Sequence, residues 1–507
     1  MKPPFDFFGG LFFQDNNKHK SSNDPIATLP IPKTLVIPLQ QHAGSPCRPT
    51  VEVGKHVKRD EIIGYSGQDI SVGVHASTSG TIKSIQNSPI AHPSGIKHIC
   101  MVLDSDGLDE GAPPTPLDWE KYSLNEVLLH LQRMGIAGLG GGAFPSHVKM
   151  KSKIHTLVIN CAECEPYITC DDILTREEAI GILEGADIVH RLLNSKTLLL
   201  GIEDNKPEAL DALKKAKLQL SSPVEIIVTP TKYPTGAAKQ LIKCLTNVEI
   251  PHGKHTTEYG FQCFNVATLL AIRNALVDGT ALTERIVTIS GNVSQGKNYR
   301  VRLGTTIRDL LLHHNDKLNC QNVIIGGPLM GFYVDDLDSA VIKSTNCILI
   351  PHSSWNDVPE EMPCIRCGAC APVCPAKLQP HELYWFARGH QLEKAQDYNL
   401  FDCIECGCCS YVCPSHIPLV QYYQYAKDEI RSQQVEKNLA QEAKIRFEFR
   451  EERKKRYEEE RVKRISEQNR ERAQMSDEEK RAVIMAAVKK KEEKMAAREK
   501  SPPTNSS

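Results

Sequence analysis

A multidomain protein of mixed α/β and α+β class is predicted from three observations. Residues 34–106 break into short runs of Val, Ile and Leu punctuated by Gly, Ser and Asn. Residues 123–280 alternate strand-like apolar runs with helical ones. Residues 356–432 hold two near copies of one cysteine-rich phrase, and nine of the chain's 18 cysteines fall between Cys364 and Cys413. A length of 507 residues allows several such domains, each with its own core. With 61 Lys and Arg against 62 Asp and Glu the net charge is -1, which makes no electrostatic case for nucleic-acid binding.

Residues 1–33, rich in Asn, Lys, Ser and Pro, read as irregular apart from Phe5, Phe7, Phe8, Phe12 and Phe13. Those rings suit either a strap packed onto the protein itself or a docking patch. The start MKPPFDFFGGLFF has no basic region and no small-residue cleavage site, so no signal peptide is expected. Cysteines kept reduced and closely spaced then point to metal or redox chemistry rather than disulfides. No run approaches the roughly 18 apolar residues of a membrane-spanning helix, and none is expected.

Residues 34–106 predict a small all-β unit. The phrase from Val51 to Gly64, followed by His75-Ala76-Ser77 and Ser79-Gly80-Thr81-Ile82, resembles the barrel-sandwich fold of biotinyl and lipoyl carriers. The turn that would carry a modified Lys reads His75-Ala76-Ser77, so a structural role is expected. Residues 107–122 form a Pro-rich linker. The α/β domain over 123–280 is read as a helix at 123–134, a glycine loop at 138–142, and strands at 155–160, 197–202 and 223–229. Helices are read at 175–194, 206–217, 236–246 and 262–278. Residues 281–355 suggest a β-grasp-like (SLBB-like) module. Residues 433–507 form a charged helical and disordered tail, made of good helix formers with opposite charges at i,i+4 but no sustained heptads.

The cysteine phrases carry the chemistry. Cys364-x2-Cys367-x2-Cys370-x3-Cys374-Pro375 and Cys403-x2-Cys406-x2-Cys409-x3-Cys413-Pro414 each match the ligand run of two-cluster ferredoxins. Three thiolates from one tight loop grip one cube, and the fourth reaches the other cube. Cys364, Cys367, Cys370 and Cys413 are therefore expected on one [4Fe-4S] cluster, and Cys403, Cys406, Cys409 and Cys374 on the second. Paired zinc sites are the competing reading of C-x2-C, but the complete eight-ligand pattern argues against them. Cys408 has no place in the pattern and reads as a buried thiol.

A one-electron wire needs a two-electron partner. Gly138, Gly140, Gly141 and Gly142, followed by Lys149, suit a phosphate: bare amides approach its oxygens and the ammonium neutralises them. The next strand ends in Asn160-Cys161-Ala162-Glu163-Cys164-Glu165, at the position where open α/β sheets bind ligands.

From these phrases, with GIEDNKPEAL, TKYPTGAAKQLI and IIGGPLMGF, the chain resembles the RnfC family, the C subunits of Rnf/Rsx-type ion-translocating electron-transport complexes, over residues 30–430. Its middle is also similar to the flavin-binding subunit of respiratory complex I. The resemblance implies non-covalent FMN on the glycine loop, Lys149 and Asn160, with Glu163 and Glu165 lining the flavin and nicotinamide side. It implies NAD(H) as redox partner and other members of the complex as neighbours. A ferredoxin-like carrier and peripheral attachment to the cytoplasmic face of the bacterial inner membrane complete the expectation. Ala143 stands where the usual loop has Gly, and Ala237-Ala238 stand where the complex I relative has an acidic pair. A flavin-free wire and an assembly or regulatory scaffold are the alternative readings.

Overall fold

The computed structural model describes residues 5–220, 222–314, 322–352, 355 and 360–499. It divides into two compact units, Met1–Lys427 and Asp428–Ser507.

In the first unit, two small antiparallel sheets share one core. One orders its strands Thr34–Pro38, Lys97–Ser105, Gly80–Pro89 and His56–Val57; the other orders Arg48–Pro49, Ile62–Tyr65 and Val74–His75. Leu35 and Ile37 point inward on alternate positions of their strand, as the two-residue period of a strand requires, and meet Ile63, Val74, Ile82 and Met101. This is the barrel-sandwich fold of the N-terminal domain.

The central sheet is parallel throughout, in the order Val224–Thr229, Thr197–Glu203, Thr156–Cys161, Phe261–Asn265. Both faces are covered, which explains the near-continuous apolar strands. Val158, Leu199 and Ile227 meet helix Ala238–Thr246 on one side. Leu157, Ile159, Leu198 and Leu200 share the opposite core with helices Leu124–Arg133, Cys170–Leu192 and Val266–Arg273. Ser123 and Glu126 cap the first of these helices reciprocally.

One element differs from the expectation. The segment 262–278 is not a single helix: Phe261–Asn265 is a strand, paired with Thr156–Asn160, before a helix at Val266–Arg273 and a π turn at Asn274–Asp278. Pairing with an exposed sheet edge outweighs helix propensity in Phe-Gln-Cys-Phe, where aromatics favour the pleated surface. Asn265 makes the switch, its side chain accepting from the Ala267 amide as an N-cap.

The third sheet has six strands, ordered Ala27–Thr28, Lys297–Arg302, Glu284–Gly291, Cys347–Ile350, Val323–Ile325 and Phe332–Val334. Helix Ile307–His313 packs on it through Ile307, Leu310 and Leu311. The edge strand Ala27–Thr28 comes from the N-terminal segment, so that segment is not wholly irregular. Phe7 is buried, whereas Phe5, Phe8 and Phe12 are exposed.

The cysteine motifs lie among short helices at Pro380–Arg388, Leu392–Asp397 and Cys408–Tyr411. The second unit is helical over its described residues. Its helices break at Ser476, whose hydroxyl and backbone amide exchange hydrogen bonds with Glu479. Its ion pairs, Arg446–Glu442 and Lys454–Glu451 among them, follow the i,i+3 and i,i+4 spacing. Among the described residues, no helix is long and apolar enough to cross a membrane.

Candidate functional site

The glycine loop leaves the barrel-sandwich side of the central sheet as a closed excursion. Its base is sealed by the Gly138 amide donating to the Phe144 carbonyl at 2.9 Å. Gly141 has φ +99°, and an added Cβ at Gly141 or Gly142 would meet open space. Gly140 packs closer: its Cβ would stand 3.2 Å from the Asn265 side chain. Ala143 holds φ +42°, a left-handed conformation that Gly adopts at less cost. Its carbonyl accepts from the Ala43 amide at 3.0 Å, which ties the loop to the barrel sandwich. The amides of Gly140, Gly141, Gly142, Ala143 and Phe144 donate to no acceptor among the described residues. Consecutive free amides around a turn form an anion-binding concavity, and this loop therefore fits a phosphate-bearing cofactor.

The other four predicted side chains sit at four different places. Asn160, at the carboxyl end of its strand, donates to the Gly236 carbonyl at 2.8 Å and accepts from the Ala162 amide at 3.0 Å. Lys149 is drawn inward: its ammonium donates to the Cys263 carbonyl at 2.7 Å and lies 4.7 Å from the Phe264 ring centroid. Burial lowers its pKa. Glu163 turns to the start of helix Cys170–Leu192, accepting from the Asp171 and Asp172 amides at 2.9 and 3.3 Å. An anion there complements the helix dipole. Glu165 turns the other way and accepts from the Leu329 and Met330 amides at 2.8 and 3.1 Å. Its burial raises its pKa. The structure thus gathers the glycines and strand ends on one side, with Glu163 behind them and Glu165 toward the cysteine motifs.

Residues that sequence reasoning passed over complete the picture. Asn265 donates to Asp171, whose pKa is pushed up to about 7 by burial and then by the Glu163 charge. The Thr268 hydroxyl accepts from the Leu139 amide at 2.9 Å. Lys18, buried in the N-terminal segment, donates to the Glu165 carbonyl at 2.9 Å. An Asn closing an aromatic run was a readable cap signal for Asn265; nothing in the sequence marked Lys18.

The two cysteine phrases have the same backbone. Arg366 and Glu405 take φ +55° and +57°, Gly368 and Gly407 take +75° and +77°, and Lys377 and His416 take +53° and +52°. Cys374 from the first phrase lines one cavity with Cys403, Cys406 and Cys409 from the second, closed by Leu383, Val420 and Tyr423. Cys370 sits within electrostatic reach of Cys367 and Cys413. Burial pushes the Cys403 thiol up to about 12. Such packed thiols favour the proton unless metal charge replaces it, so the donor set fits an iron–sulfur cluster. Cys408 is fully buried with Cys164, Tyr233 and Cys406.

These sites meet at one junction. The Tyr233 hydroxyl, from the central domain, donates to the Cys406 carbonyl at 2.6 Å. Gln240 donates to the Pro375 carbonyl at 3.1 Å, and Lys239 pairs with Asp402 at 3.0 Å. The N-terminal segment seals the seam. Leu11 exchanges backbone bonds with Tyr233 at 2.8 and 2.9 Å, and the Gly10 amide donates to the Val373 carbonyl at 2.9 Å. Phe13 meets Tyr411 edge-on with centroids 5.6 Å apart.

Fold and site together define a class: a flavin-type α/β domain bolted to a dicluster domain. Comparison agrees, since residues 5–107 match the RnfC barrel sandwich hybrid domain, 131–274 the Nuo51 FMN-binding domain and 363–417 the 4Fe-4S dicluster domain. The chain is 45% identical over 459 residues to the C subunit of the ion-translocating oxidoreductase complex of Pectobacterium carotovorum subsp. carotovorum (strain PC1), covering 89% of this chain and 61% of that one. It is 44% identical over 458 residues to the protein of the same name from Yersinia pestis bv. Antiqua (strain Antiqua), covering 89% and 73%. The chain belongs to this family, the C subunits of ion-translocating oxidoreductase complexes. It spans about three fifths of the length of the Pectobacterium relative. A solved NAD+-reducing [NiFe]-hydrogenase aligns over 60% of each chain at 16% identity and a TM-score of 0.40, too distant to build on.

Proposed function

We propose that this chain is the electron-transfer subunit of an ion-translocating oxidoreductase complex, carrying electrons between NAD(H) and partner subunits. The assignment gives residues 123–280 to FMN, 281–355 to the β-grasp module and 356–432 to two [4Fe-4S] clusters. Bound FMN would supply the exchange between hydride and single electrons, and the clusters single-electron carriage. The loop amides at Gly138–Gly142, with Asn160 and Lys149 behind them, would hold the flavin; Glu163 and Glu165 border its site. Cys364, Cys367, Cys370 and Cys413 would hold one cluster, and Cys403, Cys406, Cys409 and Cys374 the other. The rest of the reading is peripheral attachment at the cytoplasmic face of the inner membrane beside the other members of the complex, with a ferredoxin-like carrier as further partner.

The observation that carries the reading is the cavity where Cys374 joins Cys403, Cys406 and Cys409, held to the flavin-type domain by Tyr233. The test is cofactor analysis of anaerobically purified protein. About eight iron and one FMN per chain are expected.

The flavin-free wire keeps a place as second reading, on specific grounds. Ala143 takes a left-handed conformation, and the ammonium of Lys149 is already engaged by the Cys263 carbonyl. About eight iron with no flavin after reconstitution would select it.

A further inference from the structure

Two buried basic side chains of the β-grasp module, Arg285 and Lys343, reach into the neighbouring domain and take hold of the glycine-loop segment. Lys343 donates to the carbonyls of Gly135 at 2.7 Å and Gly73 at 3.0 Å. Arg285, on strand Glu284–Gly291, donates to the Leu139 carbonyl at 3.1 Å, to the Ile286 carbonyl at 3.3 Å and to the Lys343 carbonyl. The segment is therefore held at two points, by Lys343 before the loop and by Arg285 within it. Arg285 is 5% exposed, and among the described residues no carboxylate forms an ion pair with it. Its titratable neighbours are the Cys170 thiol, whose pKa burial raises, and Asp171.

Such a residue is a poor device for stability alone. A buried cation with no ion-paired carboxylate carries a desolvation cost that an apolar side chain of equal volume would avoid. Its geometric effect is specific. In a trans peptide the carbonyl and the following N–H point in opposite directions. Holding the Leu139 carbonyl toward Arg285 therefore turns the Gly140 N–H the other way, away from the guanidinium. That amide is the first of the five without a protein acceptor. The guanidinium also polarises the peptide it holds, which strengthens the N–H as a donor.

We infer that Arg285 is a positioning residue for the cofactor loop: from another module, it aims and polarises the Gly140 amide at an anionic oxygen of FMN. Lys343 anchors the start of the same segment. The inference rests on the flavin reading of this loop.

A cavity lined by Leu139, Asp171, Ala271, Leu282 and Arg285 adjoins the guanidinium and makes a chemical rescue feasible. Wild type, Arg285→Ala and Arg285→Lys are titrated with FMN by fluorescence quenching, with iron content and circular dichroism as folding controls. Wild type should bind FMN. Arg285→Ala should bind at least about tenfold more weakly with iron unchanged, and millimolar guanidinium should restore much of the loss. Arg285→Lys keeps the charge but cannot span the same carbonyls, so it should fall between them. It also serves if the Ala variant does not fold. Folded Arg285 variants with wild-type FMN affinity, or a loss that guanidinium leaves untouched, would overturn the inference while leaving the flavin reading intact. A wild type that takes up iron but no FMN would sink the flavin reading and this inference with it.

Discussion

The two proposed cysteine cages share a spacing and the same left-handed positions but not an environment. In the cage around Cys403, three of four sulfurs belong to buried residues, Cys374, Cys406 and Cys409; in the other, Cys367 is exposed and Cys364, Cys370 and Cys413 are half-buried. The residue after the first cysteine of each phrase shows the same contrast: Ile404 packs into the junction with Tyr233, whereas Ile365 is 68% exposed. Glu405 pairs with Lys427 at 2.6 Å, while its counterpart Arg366 makes no ion pair among the described residues. Local spacing builds a cage, and the surroundings decide what the cage faces. One faces the flavin-type domain and the other faces outward.

The largest expected effect divides the cages. Cys374→Ser should remove the cluster of the second phrase, and Cys413→Ser that of the first, each leaving about half the iron. Loss of the neighbouring cluster in either variant, seen by electron paramagnetic resonance, would break the cross-ligation on which the comparison stands. Stability should fall further in Cys374→Ser, because that cage is part of the buried junction.

A smaller effect is expected at the seam. Tyr233→Phe strands the Cys406 carbonyl in a buried site, at a cost of about 1–3 kcal/mol. The spectrum and potential of the buried cluster should shift, with those of the outward cluster unchanged. Equal shifts in both would show that the seam does not distinguish them. A smaller effect still is expected for Glu405→Gln. It removes a partner of Lys427, which still donates to the Cys403 carbonyl at 2.7 Å, so a loss of about 1 kcal/mol should appear in denaturant melts. Arg366→Gln should be neutral.

How much of this was readable follows from where each signal lies. The cysteine spacing, the Ser123 and Glu126 capping pair and the apolar strands Thr156–Cys161 and Thr197–Glu203 are local patterns, and local patterns survive in a sequence. The strand Phe261–Asn265 did not, because Phe-Gln-Cys-Phe-Asn-Val runs into a helical period and its strand character comes from a partner a hundred residues away. The glycine loop was readable as a turn of bare amides. Its supports were not, since Thr268, Arg285 and Lys343 reach it only through the tertiary fold. Lys149 and Glu165 were legible as polar residues near a ligand-binding sheet end, but not the carbonyl and amides that engage them.

The N-terminal segment has a consequence for assembly. Leu11 and Gly10 find their backbone partners at Tyr233 and Val373, and Ala27 pairs beside Tyr299. These are among the most distant pairings in the chain, and distant pairings are the last to repay the entropy of closing their loops. The strap can be laid down only after the central domain and the first cysteine phrase exist to receive it. Until then the Cys374 side of the inner cage is uncovered. On the proposed reading, that order would leave the Cys374 side open to iron and sulfide before the segment shuts the seam.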